Sequence, residues 1–223
     1  MAAAPPPSLS ELCAQYLSAQ LRGDRREALR LVMVDGLANG ASFADLTEDV
    51  IGAAQREIGI RWQRSEIGIA EEHMATAISN LVLAQLYEHA PPAAPNGRSV
   101  LVACVEGELH ELPARLVADA LDMAGFSVRY LGASVPSRSL VSMIQRDRPD
   151  LVALSATMSF HANMLRATVR EIRALGGAAP PIAVGGGALA WSRNLASELA
   201  ADVTATRASE LVERARRLLG VGP

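Results

Sequence analysis

The spacing of apolar and polar positions changes character near the middle of the chain. Up to residue 90 the apolar residues recur three and four apart, the mark of helices with one buried face. Leu12, Tyr16, Leu17 and Leu21 form a stripe behind Ser10, a residue type that caps helix N-termini. Ala28, Leu31, Val32 and Leu37 form a second behind Asp24, closed by Asn39-Gly40. Leu46, Val50, Ile51, Ala54 and Ile58 form a third behind Ser42, with Asp45 in its first turn. Met74, Ala77, Ile78, Leu81, Leu83 and Leu86 form a fourth over residues 70–88. Four such helices with short connections predict a four-helix bundle.

Beyond residue 97 the pattern alternates between short apolar runs and helical stretches. Val100 to Cys104 is uninterrupted apolar, as in a strand buried on both faces. Further strands are expected at 127–131, 151–155 and 182–184, with a weak last one near Val203. Helices are expected at 113–124, 136–146, 160–175 and 209–219, the second with Pro136 near its first turn. This order predicts a parallel sheet with helices on both faces. The fold class is therefore α/β with an all-α cap: a four-helix bundle followed by a flavodoxin-like (Rossmann-type) five-stranded parallel domain. Ala90-Pro91-Pro92-Ala93-Ala94-Pro95-Asn96-Gly97 reads as a linker by its prolines and turn dipeptide. The expected division is a disordered N-terminus at 1–9, the bundle at 10–90, the linker at 91–97 and the α/β domain at 98–223.

Bulk properties narrow the function classes. The 223 residues are half hydrophobic and a fifth charged, with a net charge of -3. That balance lacks the basic footprint of a DNA binder, so no direct nucleic-acid partner is expected. Met1 to Pro7 is Ala/Pro-rich without a signal-peptide pattern, and no apolar run reaches membrane-spanning length. A cytoplasmic protein without membrane association is expected. Cys13 and Cys104 stand far apart and form no metal pattern, consistent with buried thiols in a reducing compartment.

Two short stretches carry the chemistry. Val105-Glu106-Gly107-Glu108-Leu109-His110-Glu111-Leu112-Pro113 lies at the carboxyl end of the first strand, where ligands bind in parallel α/β sheets. His110 alone reads first as an exposed loop histidine. Glu108, two residues earlier, can take the second N–H of a metal-bound imidazole and fix its tautomer; it also suits a solvated loop acid. Ser155 and Thr157 end the third strand, where hydroxyls can meet a ligand edge or cap the next helix. Gly185-Gly186-Gly187 allows close backbone approach but lacks the dinucleotide fingerprint. The upstream stretch, Trp62-Gln63-Arg64-Ser65-Glu66-Ile67-Gly68-Ile69-Ala70-Glu71-Glu72-His73, sits among the helices. There Gly59 and Gly68 suit a helix break that would let Trp62 and His73 face one cavity.

The second half resembles the cobalamin-binding domain of methionine synthase, corrinoid methyl carriers and light-sensing repressors. The family pattern Asp-x-His-x-x-Gly, Ser-x-Leu/Thr, Gly-Gly is matched by Glu108-Leu109-His110-Glu111-Leu112-Pro113, Ser155-Ala156-Thr157 and Gly185-Gly186. The resemblance implies that His110 is the lower axial ligand of cobalt, displacing the cofactor's own dimethylbenzimidazole. It also implies that the nucleotide tail enters a slot lined by the serine and glycine motifs, and Leu109, inside the histidine motif, is counted among the cofactor contacts. Glu108 in place of aspartate and Pro113 in place of glycine depart from the pattern.

The Trp-x9-Glu-His spacing of Trp62, Glu72 and His73 resembles the cobalamin photoreceptors of the CarH type. It implies a helical cap over the upper corrin face, with these residues against the adenosyl group of adenosylcobalamin. Gln63 stands where the repressors carry a histidine, so a bis-histidine state through that position is not expected. No winged-helix segment precedes residue 10. The resemblance therefore implies a stand-alone light sensor acting through its own association, a homo-oligomer with a dimer favoured, or through a separate protein effector. Relatives of the photocobilin group also hold a linear tetrapyrrole. A non-covalent bilin such as biliverdin stays open, with Gln63 near such a pocket. Alternatives are a corrinoid methyl-carrier protein of a methyltransferase system and a cobalamin store or chaperone. A sensor or binding protein rather than a catalyst is expected.

Overall fold

A computed structural model describes residues 6–191 and 194–222. The chain forms two compact units, Met1–Pro91 and Pro92–Pro223. The first contains four helices among the described residues: α1 (Leu9–Leu21), α2 (residues 25–39), α3 (residues 43–63) and α4 (Ile69–His89). Both α2 and α3 contain a wider π-type turn, at Leu31–Gly36 and Leu46–Ile51.

Helix α1 starts at Leu9, capped by Ser8 and not by the expected Ser10. The reason is local. Glu11 lies three residues after Ser8, and its Oε2 accepts from the Ser8 N–H at 2.8 Å, completing a capping box. The disorder expected for residues 1–9 falls mostly on residues 1–5, outside the described residues; Pro6 to Ser8 are irregular and Leu9 is helical. Asp24 and Ser42 cap α2 and α3 as expected. The core residues include Leu12, Tyr16, Leu31, Val50, Ile58, Ile78, Leu83 and Leu86, all fully buried. Ala77, expected inside, is exposed; the inward stripe of α4 runs through Ala75, Ile78, Ser79 and Val82 instead.

The second unit contains β1 (Ser99–Cys104), α5 (Leu112–Met123), β2 (Ser127–Tyr130), α6 (Ser137–Asp147), β3 (Leu151–Ser155), α7 (Ala162–Arg173), β4 (Ile182–Gly185), β5 (Val203–Thr204) and α8 (Ala208–Leu219). Short helical turns at Ala188–Trp191 and Leu195–Glu198 connect β4 to β5. The sheet is five-stranded and parallel in the order β2-β1-β3-β4-β5. Successive side chains of β1 alternate between its faces. Leu101, Ala103 and Val105 pack with Leu140 and Ile144 of α6 and Leu165, Val169 and Ile172 of α7. Val100, Val102 and Cys104 pack with Ala114, Ala118 and Leu121 of α5 and Leu211 and Ala215 of α8. Burial on both faces explains why these strands read as continuous apolar runs. The proline-rich connection is tied to this unit: the Ala93 and Asn96 amides donate to the carbonyls of Met123 and Gly125.

Candidate functional site

Strands β1 and β3 are adjacent in the sheet, yet the chain leaves β1 toward one edge and β3 toward the other. A ligand crevice opens at the carboxyl ends of strands where the winding reverses in this way. Two loops meet there, residues 105–111 after β1 and 156–161 after β3.

The first loop begins with a tight turn over Val105-Glu106-Gly107-Glu108, closed by the Glu108 amide donating to the Val105 carbonyl at 3.0 Å. Its third residue, Gly107, has φ +84°, a left-handed conformation that glycine adopts without strain. The turn is anchored by the Gly107 amide to Ser134 Oγ (3.0 Å) and the Ser134 amide to the Glu108 carbonyl (2.9 Å). Glu108 is thereby fully buried.

Five donors converge on its carboxylate. Oε1 accepts from the His110 amide (2.8 Å) and His110 Nδ1 (2.6 Å). Oε2 accepts from the Thr157 amide (2.7 Å), the Met158 amide (3.0 Å) and His161 Nδ1 (2.9 Å). Burial alone would raise this carboxyl's pKa; the donors from His110, His161 and Met158 reverse that and hold it well below the usual carboxylate range. A carboxylate only accepts, so Nδ1 of His110 carries a proton; in the neutral ring the lone pair is then on Nε2, the form a metal ligand requires. One buried acid thus sets the imidazole of one loop and staples it to the backbone of the other. Cys104, at the end of β1, is pushed up to about 12 by burial, with Glu108 and Glu111 adding to it, so it offers no thiolate.

The rest of the crevice is polar on one side and glycine-lined on another. Ser155 Oγ and Thr157 Oγ1 are buried and have no hydrogen-bond partner. Gly185 pairs with Ser155 across the sheet. A Cβ at Gly186, whose φ is +97°, would lie 2.3 Å from the Ala156 carbonyl oxygen, so no other residue fits. Leu109 and Phe160, one on each loop, are 73% and 68% exposed, more than any other large apolar side chain described.

In the helical unit, Trp62 and Gln63 end α3, and Glu72 and His73 lie in the first two turns of α4. The break between them is residues 64–68; Gly68 precedes α4, whereas Gly59 lies inside α3 and breaks nothing. An open hollow of about 490 Å³ at this break is lined by Trp62, Ser65, Glu66, Ile67, Gly68 and Glu71. Gln63, Glu72 and His73 are not among the residues that line it. Glu72 and His73 do pair, with Oε2 accepting from Nδ1 at 2.6 Å.

Residues 98–216 match the B12 binding domain family, and residues 12–87 match a second B12 binding domain family. The chain belongs to the B12-binding family. Over 85% of its length it is 25% identical to a dimethylamine corrinoid protein of Methanosarcina barkeri, covering 89% of that protein. It is 34% identical over 59% of its length to the HTH-type transcriptional repressor CarA of Myxococcus xanthus, covering 43% of the repressor. The fold matches the Methanosarcina barkeri monomethylamine corrinoid protein with a TM-score of 0.78, at 20% identity over 96% of this chain and 99% of that one. At that identity the likeness concerns the fold alone.

The residues present fit a corrinoid. Among the described residues no group of three or more His, Cys, Asp or Glu side chains could hold a metal ion by itself. A single oriented imidazole suits a metal whose other ligands arrive with it in a macrocycle. The unsatisfied Ser155 and Thr157 hydroxyls and the glycine backbone suit a polar ligand entering the sheet edge, and exposed Leu109 and Phe160 suit an apolar partner surface.

His161 was not foreseen from the sequence. It lies 53 positions from the carboxylate it touches, and its ring meets Phe160 edge-on at 4.4 Å between centroids. The available signal was an imidazole at the carboxyl end of β3, in the loop already marked by Ser155 and Thr157. Among the described residues, no helix is long and apolar enough to cross a membrane.

Proposed function

We propose that this chain is a corrinoid carrier: it holds cobalamin base-off, with His110 as the lower axial ligand, and presents the cofactor to a separate methyltransferase. The single observation that carries the reading is the Glu108-held His110 at the β1/β3 reversal. Bound there, the corrinoid supplies a cobalt that carries an alkyl group. The chain's own residues do the rest. Glu108 keeps the His110 proton on Nδ1, Ser155 and Thr157 offer hydroxyls to the displaced nucleotide tail, and Gly185 and Gly186 let it approach the backbone. Such a protein carries and orients rather than catalyses. The near end-to-end match to a corrinoid protein supports this over repression, since the match to the repressor spans less than half of it.

A second reading rests on a specific observation: Trp62 with the paired Glu72 and His73 keeps the spacing of adenosylcobalamin photoreceptors. On that reading the helical unit contacts the adenosyl group, and light changes the protein's association, with or without a bilin.

Both methyl- and adenosylcobalamin lose their alkyl groups in light, so a colour change alone decides nothing. The test loads the full chain with each in the dark and compares affinity and sedimentation before and after illumination, with biliverdin in a parallel arm. A carrier binds methylcobalamin at least as tightly as adenosylcobalamin, and its association state ignores light. Adenosyl preference coupled to a light-dependent change in sedimentation would replace the carrier by the photoreceptor. A spectrum showing the dimethylbenzimidazole still on cobalt would sink both.

A further inference from the structure

The helical unit contains a continuous polar chain through its core. Tyr16, Gln20 and Ser79 are fully buried. Ser79 Oγ lies 3.2 Å from the Tyr16 hydroxyl, 2.9 Å from Gln20 Nε2 and 3.1 Å from Gln55 Oε1. Gln20 Nε2 also donates to the Ala75 carbonyl at 3.0 Å. Gln55 Nε2 reaches Thr76 Oγ1 at 2.5 Å, and Thr76 Oγ1 reaches Glu72 Oε1 at 3.0 Å. Glu72 Oε2 then holds His73 Nδ1.

The direction of every bond follows from its end. The Glu72 carboxylate only accepts, so Thr76 donates to it. Thr76 must then accept from the Gln55 amide nitrogen, which turns Gln55 Oε1 toward Ser79. Ser79 therefore donates its one proton to Gln55 and accepts from Gln20 and Tyr16. All dipoles point the same way, toward Glu72, and such chains polarise one another in a low-dielectric core. The arrangement is not the most stable filling for a helical core. Gln20 Oε1 is buried without a partner, a penalty that an apolar residue would avoid.

We propose that Thr76 and Gln55 are positioning residues. They hold the Glu72 carboxylate so that it keeps the His73 proton on Nδ1, leaving Nε2 as an acceptor for a hydroxyl-bearing upper ligand such as an adenosyl ribose. The assignment to an upper ligand rests on the second reading above; the positioning itself does not. A methyl ligand has no hydroxyl, so on that second reading the device selects the larger group over methyl.

The test uses the full chain with Thr76→Val, which keeps the shape and removes the hydroxyl, and Thr76→Ser, which restores it. In the apo protein, above the ordinary titration range of imidazole, long-range 1H–15N NMR reads the His73 tautomer. Wild type and Thr76→Ser should show the Nδ1–H form, and Thr76→Val should revert to the Nε2–H form favoured by free imidazole side chains. In loaded protein, the preference for adenosyl- over methylcobalamin should fall roughly tenfold in Thr76→Val, the scale of one hydrogen bond to a charged group. Should Thr76→Val fold poorly, Gln55→Met carries the same expectations. An unchanged tautomer in the valine variant, or loss of the Nδ1–H form in Thr76→Ser as well, would overturn the positioning role. If the tautomer shifts as expected while His73→Ala and Glu72→Gln leave the ligand preference untouched, the upper-ligand reading fails and the positioning role stands.

Discussion

Two acid–imidazole pairs in this chain share one contact, Nδ1 to carboxylate oxygen at 2.6 Å, and differ in everything around it. Glu108 is fully buried and accepts four further hydrogen bonds from two loops; its partner His110 has a side chain 44% exposed. The side chain of Glu72 is 16% exposed and accepts one further bond, from Thr76, while its partner His73 is 72% exposed. A short distance alone therefore does not measure how firmly an imidazole is held. What holds it is the number of donors that fix the acid, and whether they come from rigid backbone or from another side chain. The Glu108–His110 pair is built as part of the α/β scaffold. The Glu72–His73 pair is built on one helix turn and steadied at a distance.

A third carboxylate shows what burial does when donors are missing. Asp119 on α5 is mostly buried, its Oδ2 makes no well-formed hydrogen bond, and Arg115 Nε stands 3.5 Å away. Burial pushes its pKa up to about 6, with Arg115 opposing. Glu108, fully buried, is shifted the other way because N–H groups replace the water.

The comparison is broken most severely at His110. His110→Ala removes the proposed axial ligand, so reconstituted protein should keep its cofactor base-on, or lose it, with an affinity drop beyond the roughly 10–100-fold typical of an outer partner. A visible spectrum and a titration read this directly, and unchanged His-on absorption would exclude the assignment. Next comes Glu108→Gln. An amide cannot serve five donors, so at least one buried N–H loses its partner. Stability should fall by about 3 kcal/mol, seen in urea unfolding, and cobalamin affinity by roughly tenfold or more. A variant as stable as wild type would mean the carboxylate is not the staple described here.

Asp119→Asn sharpens the contrast with the opposite sign. The folded pKa lies above the unfolded one, so the native state holds the extra proton between about pH 4 and pH 6. Stability from this group is greatest below the unfolded value and is lost as pH rises through about 6. The asparagine variant should therefore gain roughly 2 kcal/mol at neutral pH and flatten the stability profile over that window. Denaturant midpoints at several pH values check it; a variant with the same slope as wild type would show that Asp119 does not titrate there.

The sheet was legible because its strands are buried on both faces, which leaves uninterrupted runs such as Val100 to Cys104 and Leu151 to Ser155. Helix stripes and two of the caps were legible for the same reason of simple period. The Ser8 start was misjudged because Ser10 is also a capping residue, and only Glu11 at the right distance decides between them. The roles of Glu108 and His110 in one loop could be proposed from spacing. The bonds to Thr157, Met158 and His161 could not, since they join positions 49 to 53 residues apart and leave no periodic trace. The polar chain from Tyr16 to Glu72 had a faint sign: Gln20 and Ser79 occupy inward helix positions where apolar residues are the rule.

The smallest effect is expected at His73, and it separates the pairs most cleanly. Because its imidazole is largely in water, His73→Ala should change stability by no more than roughly 0.5 kcal/mol, within the range of exposed ion pairs. Its backbone amide stays within α4, so the helix itself survives. The same truncation at His110 leaves the backbone bond in place but removes the Nδ1 donor from a fully buried carboxylate, and so cannot be silent. Thermal unfolding of the two apo variants side by side tests this without any cofactor. If His73→Ala destabilised the protein as much as His110→Ala, the Glu72–His73 pair would be part of the scaffold too, and its proposed role in choosing an upper ligand would lose its physical basis.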